Sequence, residues 1–146
     1  MTSIFDLEKK AYEAFKPPKK LSLSDWADEY ARLSVESSAE GGRWRTLPYQ
    51  KGIMDAVTDP HIEQISVMKS ARVGYTKILN HIIGYHIQND PCSMMLVFPT
   101  LDDCQSYSKD EISPMLRDTP CLKGTVSDPK AKDGNNTLLK KNFAGG

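Results

Sequence analysis

The feature that most constrains the fold of this chain is a strand-like run that leads through a short loop into a helical pattern. Residues 62–68 form a short run that contains β-branched residues and is bounded by turn signals, which predicts a strand. Residues 69–74 form the loop. The helix predicted over 75–88 carries an apolar face at helical spacing, made of Ile78, Leu79, Ile82, Ile83 and His86. A unit of this kind needs a sheet around its strand, which favours an α/β fold.

A second run supports the same fold class. Residues 94–98 are apolar at every position, as in a strand buried between helix layers. The run 137–143 predicts a last strand. The order of helices and strands predicts a parallel sheet between helices. A doubly wound nucleotide-binding domain usually has about five or more strands, so we expect the front half of a larger domain.

Helix starts are marked by local signals. Ser22 and Thr100 each stand three residues before an aspartate, which indicates capping boxes, and Pro48 suits the first position of a helix. The first helix should bury Leu23, Trp26, Tyr30 and Leu33. The stretches 34–42 and 117–136 are expected to be loops. Pro114 should break or kink the helix predicted over 101–116.

Residues 1–20 form a separate arm in this interpretation. A helical extension is predicted over 2–15, and the Lys-Pro-Pro-Lys-Lys segment at 16–20 breaks it. This segment is either a docking arm with a stiff basic linker or a frayed terminus. Residues 21–146 are then the domain itself.

Composition excludes several classes of protein. The 146 residues carry 19 Lys+Arg and 19 Asp+Glu, and this balance does not indicate a strongly basic nucleic-acid coat, while DNA contact by a local patch stays open. No apolar run is long enough to span a bilayer, and residues 1–10 lack the apolar region of a secretory signal. The three cysteines have no zinc spacing and suggest reduced thiols in a cytoplasm. Among the histidines, His86 is expected to be a core residue rather than a ligand.

The loop at 69–74 is the candidate site. A phosphate-binding loop lies between a strand and a helix and follows the pattern G-x-x-x-x-G-K-[ST]. Here Gly74 and Thr76 occupy the second glycine and the hydroxyl position, but Lys69 replaces the first glycine and Tyr75 the usual lysine. The long Lys69 side chain could still fold toward a phosphate, and Arg72 adds a second cation. The alternative is an ordinary basic connection whose charges are solvated.

A second candidate feature lies upstream, in the stretch 43–50. An aromatic ring in this stretch lies next to a side-chain amide. The ring could stack on the face of adenine, and the amide could hydrogen-bond to the edge of the base. Trp44, between two arginines, is more simply a packing residue with solvated neighbours.

Taken together, these residues resemble the lambda-type large subunit of tailed-phage terminase. The similarity rests on Gly-Arg-Trp-Arg-Thr-Leu-Pro-Tyr-Gln at 42–50 and Val-Met-Lys-Ser-Ala-Arg-Val-Gly-Tyr-Thr-Lys at 67–77, and it continues at 26–28, 97–100 and 136–138. In that family the lysine of the Walker A loop is displaced in the same way. The resemblance implies a P-loop NTPase-type fold that uses ATP and Mg²⁺.

The same resemblance implies roles for individual residues. Lys69 would be the catalytic, phosphate-contacting lysine, and Thr76 the hydroxyl linked to Mg²⁺. Tyr49 and Gln50 would lie on the adenine side, and the segment at 99–100 would couple ATP to DNA movement. The remaining nucleotide-binding positions implied are Ser70, Ala71, Arg72, Val73, Gly74, Tyr75 and Lys77.

The family packages viral DNA into a preformed capsid and also carries a nuclease domain. The resemblance therefore implies double-stranded viral DNA, a small terminase subunit and the portal or procapsid as partners, in the cytoplasm of a bacterial host and without a membrane. Residues 1–20 match the family poorly, so small-subunit docking by the arm rests on position alone.

The chain also departs from the family. We find no Walker B strand ending in acidic residues and no nuclease carboxylates; the acidic pairs at 102–103 and 110–111 lie within a predicted helix. Without such acids Mg²⁺ and the attacking water lose their partners, so we expect nucleotide binding rather than turnover. The chain is expected to be a truncated product, a prophage remnant or a fragment. The alternative function is a non-catalytic module that docks a terminase partner or DNA.

Overall fold

A computed structural model describes residues 7–8, 11–12, 15, 19–38, 40–126 and 136–146. Its helices and strands follow in chain order: α1 (Leu23–Tyr30), β1 (Arg32–Leu33), β2 (Gly42–Arg43), α2 (Pro48–Val57), α3 (Tyr75–Gln88), α4 (Leu101–Tyr107), a π-helical turn (Ser108–Ile112), α5 (Ser113–Asp118) and a 3-10 turn (Pro120–Leu122). The regular structure of the described residues is therefore mostly helical, with one small two-stranded sheet.

The predicted helix starts are confirmed. The Ser22 hydroxyl accepts a hydrogen bond from the Asp25 amide at 3.3 Å, and the Thr100 hydroxyl accepts one from the Asp103 amide at 3.1 Å. Pro48 is the first residue of α2. The Ser22 and Thr100 hydroxyls each satisfy an amide that the helix itself cannot, and Pro48 has no amide N–H to satisfy.

The stretch 34–42, expected to be a loop, is one in its described residues apart from Gly42, and it connects the two strands of a short hairpin. Strand β1 pairs antiparallel with β2, so that Arg32 lies opposite Arg43 and Leu33 opposite Gly42. Leu33, expected on the α1 stripe, therefore belongs to β1 and is only half-buried. Two residues are too few for a period-2 pattern, so neither strand can be predicted from the sequence.

Helix α3 lies at the centre of the core. Its buried residues are Ile78, Asn80, His81, Ile83, Gly84, Tyr85 and Ile87, which surround most of the helix. Trp26 of α1 packs against it, and the Trp26 Nε1 donates to Gln88 Oε1 at 2.7 Å. The Tyr85 hydroxyl donates to the Leu21 carbonyl at 3.1 Å. These contacts fix α1 against the C-terminal end of α3.

Pro114 neither breaks nor ends its helix as predicted. The preceding π-helical turn widens the backbone, and the Ser113 amide donates to the Ser108 carbonyl five residues back. Pro114 then falls in the first turn of α5, where a missing N–H costs nothing. The helical path therefore continues to Asp118.

The two central strands predicted from the sequence are not formed in the described part of the chain. Residues 62–68 and 94–98 are neither helix nor strand. The expectation that 94–98 is buried is wrong, since Met95 and Val97 are exposed. A strand requires backbone hydrogen bonds to a neighbouring strand, and among the described residues neither segment has such a neighbour. The parallel sheet is thus not part of the described structure.

The run 137–143 also differs from the predicted strand. It turns back on itself, and the Thr137 amide donates to the Lys140 carbonyl at 2.7 Å. Two isolated bridges, Asn136 with Lys141 and Val126 with Phe143, are its strand-like contacts. A tight turn satisfies the local backbone groups without a partner strand.

The arm predicted over 1–20 lies largely outside the described residues. Leu7, Glu8, Ala11 and Tyr12 are helical and exposed, and Lys19 and Lys20 are exposed. Among the residues with a described structure, no helix combines the length and the apolarity needed to cross a membrane.

Candidate functional site

The loop at 69–74 has an unusual backbone. Arg72 has a φ of 60° and Gly74 a φ of 77°, so two nearby residues adopt the left-handed conformation. Left-handed residues alternating with ordinary ones are typical of concave backbone segments whose N–H groups bind an anion, so this loop is a candidate of that kind. Gly74 accepts this conformation at no steric cost, whereas Arg72 pays about 1–2 kcal/mol for it.

Helix α3 begins directly after this loop. The Gly74 carbonyl accepts from the amides of Lys77 at 3.0 Å and Ile78 at 3.2 Å, which closes the first turn. The preceding amides at the helix start have no carbonyl partner within the helix, and the first turn holds no acidic side chain. The positive end of the helix dipole is therefore combined with the concave loop.

Lys69 extends toward this helix start. Its Nζ lies 5.5 Å from the centroid of the Tyr75 ring. Lys69, Ser70, Ala71, Arg72 and Thr76 are exposed, and Val73, Gly74 and Tyr75 are half-buried. The displaced lysine therefore spans the loop and brings its ammonium group over the first residue of α3.

Helix α2 holds the loop from the other side. The side chains of Tyr49 and Gln50 both donate to the Val73 carbonyl, from Tyr49 Oη at 3.3 Å and Gln50 Nε2 at 3.1 Å. Tyr49 is 57% exposed and Gln50 is 2% exposed. The two neighbouring residues thus bind the same carbonyl, but only the Tyr49 side chain is exposed enough to contact a ligand as well.

Lys77 faces away from the concave side of the loop. Its Nζ lies 2.6 Å from Glu111 Oε2 and donates to Ser37 Oγ at 2.8 Å. Asn80 Nδ2 donates to the same Glu111 oxygen at 2.8 Å, and the Tyr107 hydroxyl donates to Asn80 Oδ1 at 2.6 Å. Burial, together with the nearby Glu111 carboxylate, raises the pKa of Tyr107. This network joins the first turn of α3 to the π-helical turn.

The core histidine of the chain is His81, not His86. His81 is buried, its ring centroid lies 4.4 Å from that of Trp44, and burial followed by the charge of Lys77 lowers its pKa to about 3. His86 is half-buried, and its Nδ1 lies 3.0 Å from the Asp90 carbonyl. Trp44 is buried against His81, which confirms that it packs in the core.

Sequence reasoning missed the contacts that join distant parts of the chain. Gln50 donates to a loop carbonyl 23 residues away. Glu111, in the mid-helix acidic pair, binds Lys77 across 34 residues. The Gln at the third position of α2 is the only local hint of the first contact, since such residues often bond back to the helix start.

No cluster of three or more His, Cys, Asp or Glu residues suited to a metal ion occurs among the described residues. Cys92, Cys104 and Cys121 are free cysteines.

Comparison with known proteins decides the family. Residues 38–146 match the family model described as "Phage terminase large subunit gpA, ATPase domain". The chain belongs to this family. The loop at 69–74, its α2 contacts and Glu111 all lie within the part that matches the gpA family.

Two gpA-type relatives show the extent of the similarity. The chain is 36% identical over 132 residues to "Terminase, large subunit" of Escherichia phage lambda and 36% identical over 129 residues to the protein of the same name from Enterobacteria phage P21. These alignments cover 90% and 88% of the chain but 20% of each relative. The chain thus spans about a fifth of the length of these terminase large subunits. No solved structure gives a significant match.

Proposed function

We propose that this chain binds Mg-ATP at the loop 69–76 and is the nucleotide-binding part of an ATP-driven motor that packages viral DNA. The observation that carries the proposal is a loop with left-handed residues at Arg72 and Gly74 that leads into α3, with the Lys69 ammonium group 5.5 Å from the Tyr75 ring centroid. Backbone N–H groups, a helix N-terminus and a mobile ammonium group are the elements that hold phosphates. Membership of the terminase ATPase family supports the same chemistry.

The individual roles follow from position and exposure. Lys69 and Arg72 neutralise the terminal phosphates, and the backbone of 70–75 surrounds them. Tyr49 offers an exposed ring on the side where the base would lie. Lys77 lies next to the loop in sequence, and its own ammonium group is held by Glu111.

Thr76 suits the magnesium-linked position. It lies in the first turn of α3 and is exposed, so its hydroxyl is accessible to an ion held mainly by phosphates and water. Such an ion, when bound, neutralises phosphate charge. We assign nucleotide binding rather than turnover to this chain, because hydrolysis also needs carboxylates that activate water.

The wider setting is proposed from the family. The segments 62–68 and 94–98 would be strands of a P-loop-type parallel sheet when further strands of a longer terminase chain pair with them; their apolar composition supports this. Double-stranded viral DNA, a small terminase subunit and the portal or procapsid are the proposed partners, in the cytoplasm of a bacterial host.

A docking role for residues 1–20 is a second candidate. Leu7, Tyr12 and Phe15 are large apolar side chains and all are exposed. Deleting residues 1–20 should abolish binding of the small terminase subunit and leave Mg-ATP affinity unchanged. Retained partner binding would refute this role.

Calorimetry with Mg-ATP tests the main proposal. Lys69→Ala should weaken binding at least tenfold, equivalent to about 1.4 kcal/mol, whereas Lys140→Ala, which removes an exposed lysine outside the loop, should not. Far-UV circular dichroism checks that each variant is folded. Equal affinity of wild type and Lys69→Ala, or no binding by folded wild type, would refute the proposal.

A further inference from the structure

We infer that Gln50 is a positioning residue that holds the phosphate loop in shape and does not contact the nucleotide base. The inference rests on the proposed function, because the loop is the one assigned to nucleotide binding. The inference gives Gln50 a different role from its neighbour Tyr49, whose exposed ring is the one proposed to lie on the side of the base.

Both ends of the Gln50 amide are already engaged. Its Oε1 accepts from the Leu47 amide at 3.0 Å, and its Nε2 donates to the Val73 carbonyl at 3.1 Å. A backbone N–H at one end and a backbone carbonyl at the other allow one orientation of the amide, because only the oxygen can accept and only the nitrogen can donate. With 2% of its surface exposed, Gln50 has no free polar edge for a base.

The amide also packs on the residue that sets the loop conformation. A Cβ added to Gly74 would lie 2.9 Å from Gln50 Nε2, so the amide covers the face of the left-handed glycine. Gln50 therefore contacts two consecutive residues, Val73 and Gly74, where the loop becomes the helix. Since α2 is anchored in the core by Met54, this contact fixes the loop relative to the core.

This geometry predicts a particular pattern of nucleotide affinity. A residue that contacts the base affects ATP but not a ligand without a base. A residue that shapes the phosphate loop affects every ligand with the same phosphates by the same factor, because the contact that is lost lies within the protein. Tyr49, which is exposed and donates to the same carbonyl, is the natural comparison.

Gln50→Glu is the sharpest variant. The carboxylate can still accept from the Leu47 amide, so the start of α2 is preserved. It has no donor for the Val73 carbonyl, and it places two acceptors against each other. Gln50→Met, which has nearly the same shape and no polar group, checks that the effect is loss of the hydrogen bond rather than added charge.

Calorimetry on the full 146-residue chain would compare Mg-ATP, Mg-GTP and Mg-tripolyphosphate. Gln50→Glu and Gln50→Met should weaken all three by the same factor, about tenfold. Tyr49→Ala should weaken the two nucleotides by a larger factor than tripolyphosphate, because it removes the exposed ring as well as a hydrogen bond to the Val73 carbonyl. If the Gln50 variants weaken ATP alone, the residue reads the base and the inference is wrong.

Hydrogen exchange provides a test that does not depend on nucleotide. In Gln50→Glu the amides of Lys77 and Ile78, which close the first turn on Gly74, should exchange about tenfold faster, while those of α1 stay unchanged. Unchanged exchange at α3 would overturn the inference even if no ligand binds. Failure of the main proposal would be seen separately, as equal Mg-ATP affinity in wild type and Lys69→Ala.

Discussion

His81 should make the stability of this chain fall as the pH drops from 7 to 5. It lies in the core against Trp44, and its Nε2 has no hydrogen-bond partner within the described structure. Burial, followed by the charge of Lys77, lowers its pKa from 6.5 to about 3. The nearby Glu111 carboxylate already binds Lys77, so it does not offset this penalty by pairing with His81.

The sign of the effect follows from proton linkage. Below pH 6.5 the unfolded chain protonates His81 and the folded chain does not, so acid favours unfolding. Each pH unit in this window is equivalent to about 1.4 kcal/mol. Between pH 6.5 and pH 5 the free energy of unfolding should therefore fall by about 2 kcal/mol, with a further loss down to pH 3.

Urea denaturation at pH 7 and pH 5 measures this difference. His81→Phe keeps an aromatic ring beside Trp44 and removes the titrating nitrogens, so its stability should change little between the two values. The exposed His61 provides the control, since His61→Gln should behave as wild type does. The lowered pKa of Asp118, about 2, acts only below this window. An equal loss of stability in wild type and His81→Phe would refute the reasoning.

Three further substitutions test the packing around the site. Gly84→Ala should destabilise the fold by about 1–3 kcal/mol, because the new Cβ would lie 2.7 Å from the Trp26 ring. Glu111→Gln should cost about 1–3 kcal/mol in urea denaturation, since it leaves the Lys77 ammonium largely buried without its carboxylate. Gly74→Ala should cost about 1–2 kcal/mol because of its positive φ, and it should weaken Mg-ATP in calorimetry.

Each of these variants has a matched control in the same chain. Gly52 lies within α2 with open space around it, so Gly52→Ala should stabilise by about 1 kcal/mol where Gly84→Ala destabilises. Asp110→Asn removes the exposed neighbour of Glu111 and should have little effect. Gly124 shares the positive φ of Gly74 but has no neighbouring atom within 4 Å, so the difference between the two alanine variants isolates the contact with Gln50. If a control variant changes stability as much as the variant that it is matched to, the structural reason given for that variant is wrong.

The helices could be predicted from the sequence because their signals are local. Ser22, Pro48 and Thr100 act on backbone groups within one helical turn, and each begins a helix where predicted. The position of the loop at 69–74 followed in the same way, since the helix predicted over 75–88 has its observed bounds. What surrounds the loop could not be predicted, because the contacts of Gln50 and Lys77 join residues far apart in the chain.

The strand predictions depended on a partner that sequence patterns do not specify. Apolar and β-branched residues at 62–68 and 94–98 suit a buried sheet, but they do not supply the neighbouring backbone that a strand needs. In the described structure Met68, Met95 and Val97 are among the most exposed large apolar side chains.

The helical core, by contrast, is formed by contacts among helices that are all present. Stability measurements therefore report on that core, whereas nucleotide affinity reports on a loop that joins the core to an unpaired segment. A variant can then lose affinity without losing stability, and this is why the Gln50 experiment follows amide exchange at α3 beside the binding of each ligand.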